Sequence, residues 1–365
     1  MNDTVISYCA ISIDTSYFES QKFNFDGPTL SILKQFSKGN PIKFIVSNII
    51  CKEIYSHLLK LSNEMETAIK KYQKESSDND TFLINNLKEN LENRFLSFMK
   101  STGLHIIEAS DFPISLDKII DNYFEGNPPF SKNKKYEFPD AFALEILEEY
   151  GKSNNAKVVV VSKDPDWKNY SDNSLYLEYY DNLSDAVTEI NNKKILDNCK
   201  NKSILKNIEE KIKKTEREIA DFLDNNLYNH LSSAIEKIDL NISSSSNSYV
   251  DYFNLALSEY RLETDEINIL SFQSSSLIVR IPIEIDVTIS ADFTYYMYSA
   301  LDEDDIGIDI PDVVKDETFY TDCIVLIKKN LKKDTYAIKS LEFSDSTFYV
   351  DFGNVEPDFS EEYEY

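Results

Sequence analysis

From Leu277 to Tyr295 every second residue is apolar: Leu277, Val279, Ile281, Ile283, Ile285, Val287, Ile289, Ala291, Phe293 and Tyr295. Side chains along a strand alternate between two faces, so this stretch predicts one very long strand with a buried face and a wet face. A sheet that keeps one face in water is as a rule antiparallel. The runs 319–327, 336–343 and 347–352 supply partners, giving an expected sheet of about four or five strands over residues 249–353. Pro282 and Pro311 have no amide hydrogen to donate and are expected at an edge or a bend. Upstream, Ile208, Ile212, Ile219, Leu223, Leu227, Leu231, Ile235 and Ile238 recur at helical spacing. They predict one or two long helices over residues 203–240, joined to the sheet by a serine-rich stretch, 243–248. Residues 201–365 therefore read as an α+β domain with an antiparallel sheet.

The first half follows a different rule. Lys157 is followed by four valines, Val158 to Val161, a continuous apolar run typical of a parallel strand buried on both faces. Residues 5–13 and 43–46 read as further strands, and 105–107 as a short one. A helix is expected to open at Ser47, a suitable N-cap, and run past Leu61. Residues 64–100 predict long helices broken near 76–80. Another helix is expected from Pro139, suited to a first turn, to Gly151, suited to a C-cap. A closing helix is expected over 182–190. Strands alternating with helices give an α/β domain, a parallel sheet flanked by helices, over residues 1–200.

Length and composition agree with two domains: the chain has 365 residues and 42% apolar content, with only 7 glycines and 10 prolines. The four cysteines and three histidines are scattered, without the spacing of a zinc site or a disulfide framework. No apolar run is long enough to cross a bilayer, and the first ten residues lack the flanks of a signal peptide. A cytoplasmic protein without membrane contact is the expectation. The net charge of −26 opposes contact with a polyanion, but the charge is uneven. Residues 1–204 hold 30 acids against 24 bases, whereas residues 205–365 hold 34 against 14. The excess acid lies in the second half, so the first remains free to present basic patches.

Three acids of the first half stand where a strand ends or a helix begins. Asp14 follows the first strand, Asp140 lies in the first turn of a helix, and Asp164 follows the valine strand. Glu53 lies on the helix after the second strand. In an open parallel sheet ligands bind beyond the carboxyl ends of the strands. Carboxylates gathered there repel one another unless a cation lies between them. Oxygen-only donors favour Mg²⁺ or Mn²⁺, which can activate water for phosphodiester hydrolysis. Each acid alone has a plainer explanation. Asp14 can be a turn residue, Asp140 a helix-start acid, Glu53 a surface residue, and Asp166 either a second ligand or a turn acid. His57 and Trp167 read as structural, the latter with base stacking as its alternative. Asp140 shares a helical face with Ala143, Leu144 and Leu147, which turns it toward the core.

The segments Ile13-Asp-Thr-Ser, Lys52-Glu-Ile, Pro139-Asp-Ala-Phe-Ala-Leu and Ser162-Lys-Asp-Pro-Asp-Trp occur in the order seen in the PIN nuclease family. Residues 5–190 resemble that family, and most of all its larger bacterial members. Those carry a helical insertion, here 60–125, and a Pro-Pro-Phe loop with lysines, here 127–136. The resemblance implies a parallel sheet flanked by helices and Mg²⁺- or Mn²⁺-dependent cleavage of RNA, less often DNA. It implies Asp14, Glu53, Asp140 and Asp164 as catalytic metal ligands, with Asp166 as a further candidate. Thr15, Ser16 and Ser162 would orient ligands, and Lys132, Lys134, Lys135 and Lys163 would contact phosphates. Toxicity or antiphage defence is the first biological expectation. Residues 205–365 resemble nothing comparable.

Competing chemistries lack their residues. A haloacid dehalogenase-like phosphatase expects a second acid two positions after Asp14, where Ser16 stands, and no Gly-rich phosphate loop occurs. The rival reading is a catalytically inactive PIN-like binding or regulatory protein. Its acidic second half, with Asp302-Glu-Asp-Asp305 and Glu361-Glu-Tyr-Glu-Tyr365, would then bind a protein partner, mimic nucleic acid or simply stay solvated. The long alternating strand adds a homodimer through a sheet edge as an expectation.

Overall fold

The computed structural model describes residues 7–37, 39–76, 87–131, 137–198, 202–273, 275–299, 304–330, 335–345 and 347–357. The chain forms two compact units, Met1–Asn198 and Cys199–Tyr365.

The first unit is built on β1 (Tyr8–Ile13), β2 (Lys43–Ser47), β3 (His105–Ile107), β4 (Lys157–Val161) and β5 (Leu177–Tyr180). All four pairings are parallel, in the order β3-β2-β1-β4-β5. The chain steps outward from β1 to β3, then returns to the other side of β1 for β4. The strand order therefore reverses beside β1, and its carboxyl end faces the crevice where such sheets bind ligands. In β4 all four valines are fully buried, which is why they form a central strand. The helices are α1 (Thr15–Ser20), α2 (Pro28–Ser31), α3 (Asn48–Ser76), α4 (Leu87–Thr102), α5 (Leu116–Glu125), α6 (Phe138–Ser153), α7 (Pro165–Ser171) and α8 (Leu183–Asn198). Ser47 sits just ahead of α3 and its hydroxyl accepts the Ile50 amide at 3.2 Å.

One detail departs from the expectation. Gly151 does not end α6; the helix runs on to Ser153. A Cβ on Gly151 would lie 2.9 Å from both the Ala156 carbonyl oxygen and the Tyr176 Cβ, so the glycine permits close approach of the returning chain. The short strand expected at 105–107 is present as β3, an edge strand of the main sheet within the stretch 60–125. The helix break expected near 76–80 falls almost wholly in 77–86, and Lys132, Lys134 and Lys135 fall in 132–136; both segments lie outside the described residues.

The second unit carries α9 (Lys202–Asn226), α10 (Tyr228–Ile235), β6 (Asp239–Ser243), β7 (Ser248–Leu262), β8 (Asn268–Gln273), β9 (Ser276–Ser299), β10 (Asp304–Asn330), β11 (Thr335–Phe343) and β12 (Thr347–Asp351). Strands β11-β10-β9-β7 form an antiparallel sheet, with β8 also pairing β9. The inward residues of β9 from Leu277 to Phe293 are buried, and those up to Ile289 share one core with Ile219, Leu223, Leu227, Leu231 and Ile235.

Three expectations are corrected here. The stretch 347–352 does not join the large sheet; β12 pairs in parallel with β6, which occupies the end of the expected helical and serine-rich region. Pro282 lies within the paired strand β9, opposite Asp322 of β10, and not at an edge or bend. Its carbonyl accepts the Glu263 amide at the seam where β7 ends and β8 begins. Amide and carbonyl of one strand residue face the same neighbour, so the missing donor falls at that break in the ladder. Pro311 does lie at a register shift, between Ile310 and Val313. Residues 300–303 and 358–365, which hold most of the two acidic runs, are outside the described residues.

Candidate active site

Asp14 is the first residue beyond β1, and its amide still donates to the Val161 carbonyl of β4 at 2.9 Å. It is thus pinned where the two central strands end. Its carboxylate caps α1, with Oδ1 accepting the Thr15 amide at 2.7 Å and Oδ2 the Ser16 amide at 3.2 Å. The Ser16 and Ser162 hydroxyls also donate to Oδ2, the latter at 2.9 Å. The group is almost wholly buried, and burial raises its pKa against the pull of these donors.

Ser162 ties the strand ends together. Its hydroxyl donates to Asp14, accepts the Asp164 amide at 2.9 Å and lies 3.2 Å from the Ser16 hydroxyl. Its carbonyl accepts the Tyr179 hydroxyl at 2.8 Å. Asp164 caps α7, with Oδ1 accepting the Asp166 amide at 2.8 Å. The Tyr179 hydroxyl is pushed up to about 12, by burial first and then by Asp181, Asp164 and Asp14.

Glu53 reaches the group from α3, where Oε2 accepts the Thr15 hydroxyl at 3.2 Å. Its pKa is raised by burial, then by the Asp14 charge, with a smaller contribution from Glu137. Asp140 enters from the first turn of α6, and Oδ1 accepts the Trp167 indole N–H at 3.0 Å. Its pKa is pushed up to about 8 by burial, by a hydrogen bond with the Glu137 side chain and by the charges of Asp14 and Glu53. Glu53 thus feels the charges of Asp14 and Glu137, and Asp140 those of Asp14 and Glu53.

Glu137 was not among the acids singled out in the sequence. It stands three residues before Asp140, a spacing that places both on one helical face, but its neighbourhood of loop lysines hid the relation. Trp167 is wholly buried, so it holds Asp140 and offers no surface to a base. Asp166 lies half-buried in the first turn of α7. Lys163 is exposed, its Nζ 5.7 Å from the centre of the Tyr17 ring. His57 pairs with Glu19.

Residues 11–167 match a family model described as PIN domain. This stretch of the N-terminal unit is similar to the PIN domain family. No curated protein and no solved structure matches the chain. PIN domains are in general nucleases that use divalent metal ions, so nucleic acid is the implied substrate. Among the described residues no three His, Cys, Asp or Glu side chains stand close enough to hold a metal ion as placed. The donor chemistry nevertheless fits a hard divalent cation. The set is all oxygen, Asp14 within it is buried, and burial together with the neighbouring carboxylates holds the Asp140 carboxyl well above its ordinary pKa. Among the described residues no helix is long and apolar enough to cross a membrane.

Proposed function

We propose that this PIN domain is an Mg²⁺- or Mn²⁺-dependent nuclease whose preferred substrate is RNA. The observation that carries the reading is the gathering of Asp14, Glu53 and Asp140 beside the reversal point of a parallel sheet, each with a raised pKa. Buried like charges weaken a fold unless something of opposite charge is bound there. Asp14, Glu53, Asp140 and Asp164 would hold the cation directly or through water, with Asp166 as a further candidate. The chemistry a divalent cation supplies is neutralisation of phosphate charge and acidification of water.

The chain's own groups prepare that chemistry. Two backbone amides and two hydroxyls fix the orientation of Asp14, Thr15 fixes Glu53, and Trp167 fixes Asp140. Glu137 lies beside Asp140 at the edge of the set. Lys163, with Lys132, Lys134 and Lys135, would contact substrate phosphates. RNA is placed before DNA, and toxicity or antiphage defence before housekeeping processing, on the resemblance to larger bacterial PIN proteins.

The test uses labelled RNA and DNA of the same sequence with Mn²⁺, Mg²⁺ or EDTA. The wild type should cleave RNA in either metal. The double variant Asp14→Asn, Asp140→Asn should lose at least about two orders of magnitude, the scale of removing one electrostatic contributor. Equal behaviour of wild type and variant would leave the binding-protein reading in place.

A further inference from the structure

Beside the carboxylates, the first unit shows aromatic surface to solvent. Phe124 is 80% exposed and Phe138 38% exposed, although a phenyl ring gains most from burial. These rings belong to a built cluster. The Tyr123 ring lies 5.0 Å from Phe138 at 32° and 5.2 Å from Phe124 at 77°. Phe130 supports Phe138 from 5.0 Å, and beneath them Ile119, Phe130 and Ala141 are buried together. The helix that carries Tyr123 and Phe124 is anchored by Lys118, whose Nζ reaches Glu145 at 2.6 Å and Glu148 at 2.9 Å on α6. The same Nζ lies 3.0 Å from the Tyr170 hydroxyl of α7. The rings therefore sit on a fixed base.

Their position connects them to the acids. Phe138 opens α6, next to Glu137 and two residues before Asp140. At 3.6 residues per turn, Phe138 and Asp140 leave the same helix end about 200° apart and about 3 Å apart along the axis. A strand of nucleic acid laid across that end meets the carboxylates on one side and the rings on the other.

We propose that Tyr123, Phe124 and Phe138 form a stacking platform for one unpaired base of the substrate, beside the phosphate that the acids address. This rests on the nuclease reading and assigns the rings an unpaired base, because a paired base has no free face to offer. Stacking on aromatic rings tolerates any base, so the platform selects for strandedness and not for sequence. At the start and middle of α5, Asp117 and Asp121 are exposed and repel a phosphate backbone, which keeps the strand away from that part of the helix. Glu125, exposed next to Phe124, likewise turns phosphate away, so that a base and not the backbone meets the ring. The exposed aliphatic residues Leu116 and Ile120 continue the apolar surface, which makes a second copy of this chain the rival occupant.

The test measures binding by the full-length protein of a short fluorescent RNA in EDTA, where no cleavage occurs. The RNA is used as a single strand, as a duplex, and with one abasic position moved along it. Wild type should prefer the single strand, and Phe124→Ala and Phe138→Leu should each weaken it about tenfold. Phe138→Trp should restore the affinity. One abasic position should cost the wild type a similar factor and cost Phe138→Leu nothing.

Unchanged affinity in a Phe138→Leu protein with wild-type thermal melting overturns the platform, as does an abasic loss that the variant shares. Failure of wild type to bind single-stranded RNA overturns it too. Self-association in sedimentation that Phe124→Ala abolishes, with RNA affinity intact, assigns the rings to a second copy instead. The nuclease reading is judged separately, by cleavage with Mn²⁺. Cleavage with base-indifferent binding removes only the platform, whereas base-dependent binding without cleavage removes only the nuclease.

Discussion

Burial, the Glu137 side chain beside it and the charges of Asp14 and Glu53 all favour a protonated Asp140 carboxyl where no cation is bound. With burial as the largest cause, the Asp140 pKa rises from 3.8 to about 8 in the metal-free fold. The folded chain then binds this proton more tightly than the unfolded chain at every pH between those values. The stabilisation is whole below the unfolded pKa and is lost as pH rises through the folded one. In EDTA, thermal stability of the first unit should therefore fall from pH ~5 to pH ~8. Asp140→Asn, which carries no charge to bury, should flatten that slope. At the upper end the variant should melt higher than wild type, by about 2–4 °C for each kcal/mol of repulsion relieved. Mn²⁺ should restore the wild type at high pH, since a cation takes the ionised carboxylate, and should do less for the variant. A wild-type profile that is flat over this range would rule out a buried proton at Asp140.

Elements position these residues through close approaches that one substitution can test. Gly151 packs within α6 against the chain that turns into β4 and β5, and a methyl group there would meet backbone oxygens at 2.9 Å and 3.1 Å. Gly151→Ala should cost about 1–3 kcal/mol in urea unfolding, the scale of overpacking, even though alanine is the better helix former. Stability equal to wild type would mean that the strand connection yields freely. The same glycine shows where sequence reading reached its limit. Position alone suggested a helix end, whereas its role depends on Ala156 and Tyr176, which only the fold brings near. Elements with one uniform environment were legible: β4 because both faces are buried, β9 because one is. Strand β5 was not, because Glu178 and its tyrosines join a polar network with Tyr8 and Lys157, which breaks any apolar pattern. The parallel pairing of β6 with β12 joins segments more than a hundred residues apart, and no local pattern encodes it. In the acid set, Asp14, Glu53 and Asp140 could be read because each occupies a recognisable end or stripe. Glu137 sits in a polar loop and gains meaning only from its contact with Asp140.

Over the whole chain, two units with separate cores carry opposite electrostatic problems, and that difference predicts how each responds to ions. In the first unit the strain is local: a few buried carboxylates around one crevice. In the second it is diffuse, since residues 205–365 hold 34 acids against 14 bases and spread many of them over exposed sheet surface. Local pairing offsets only part of it. Arg261 serves Glu284 and Asp286, the latter at 2.9 Å, and Asp316 relies on the Thr288 hydroxyl. Diffuse repulsion between exposed charges is screened by ordinary salt, with a Debye length of about 10 Å at 0.1 M, whereas a buried set is not. A specific cation acts the other way, stabilising by about 2.7 kcal/mol at a hundredfold excess over its Kd, and only the unit that binds it. Calorimetry of the full chain should therefore resolve two transitions. One should rise with NaCl and ignore micromolar Mn²⁺, and the other should rise with Mn²⁺ and change little with NaCl. The Mn²⁺-sensitive transition should lose that response in Asp14→Asn, Asp140→Asn, while the salt-sensitive one stays in place. A single transition that moves with both ions would overturn the assignment of the two responses to separate units.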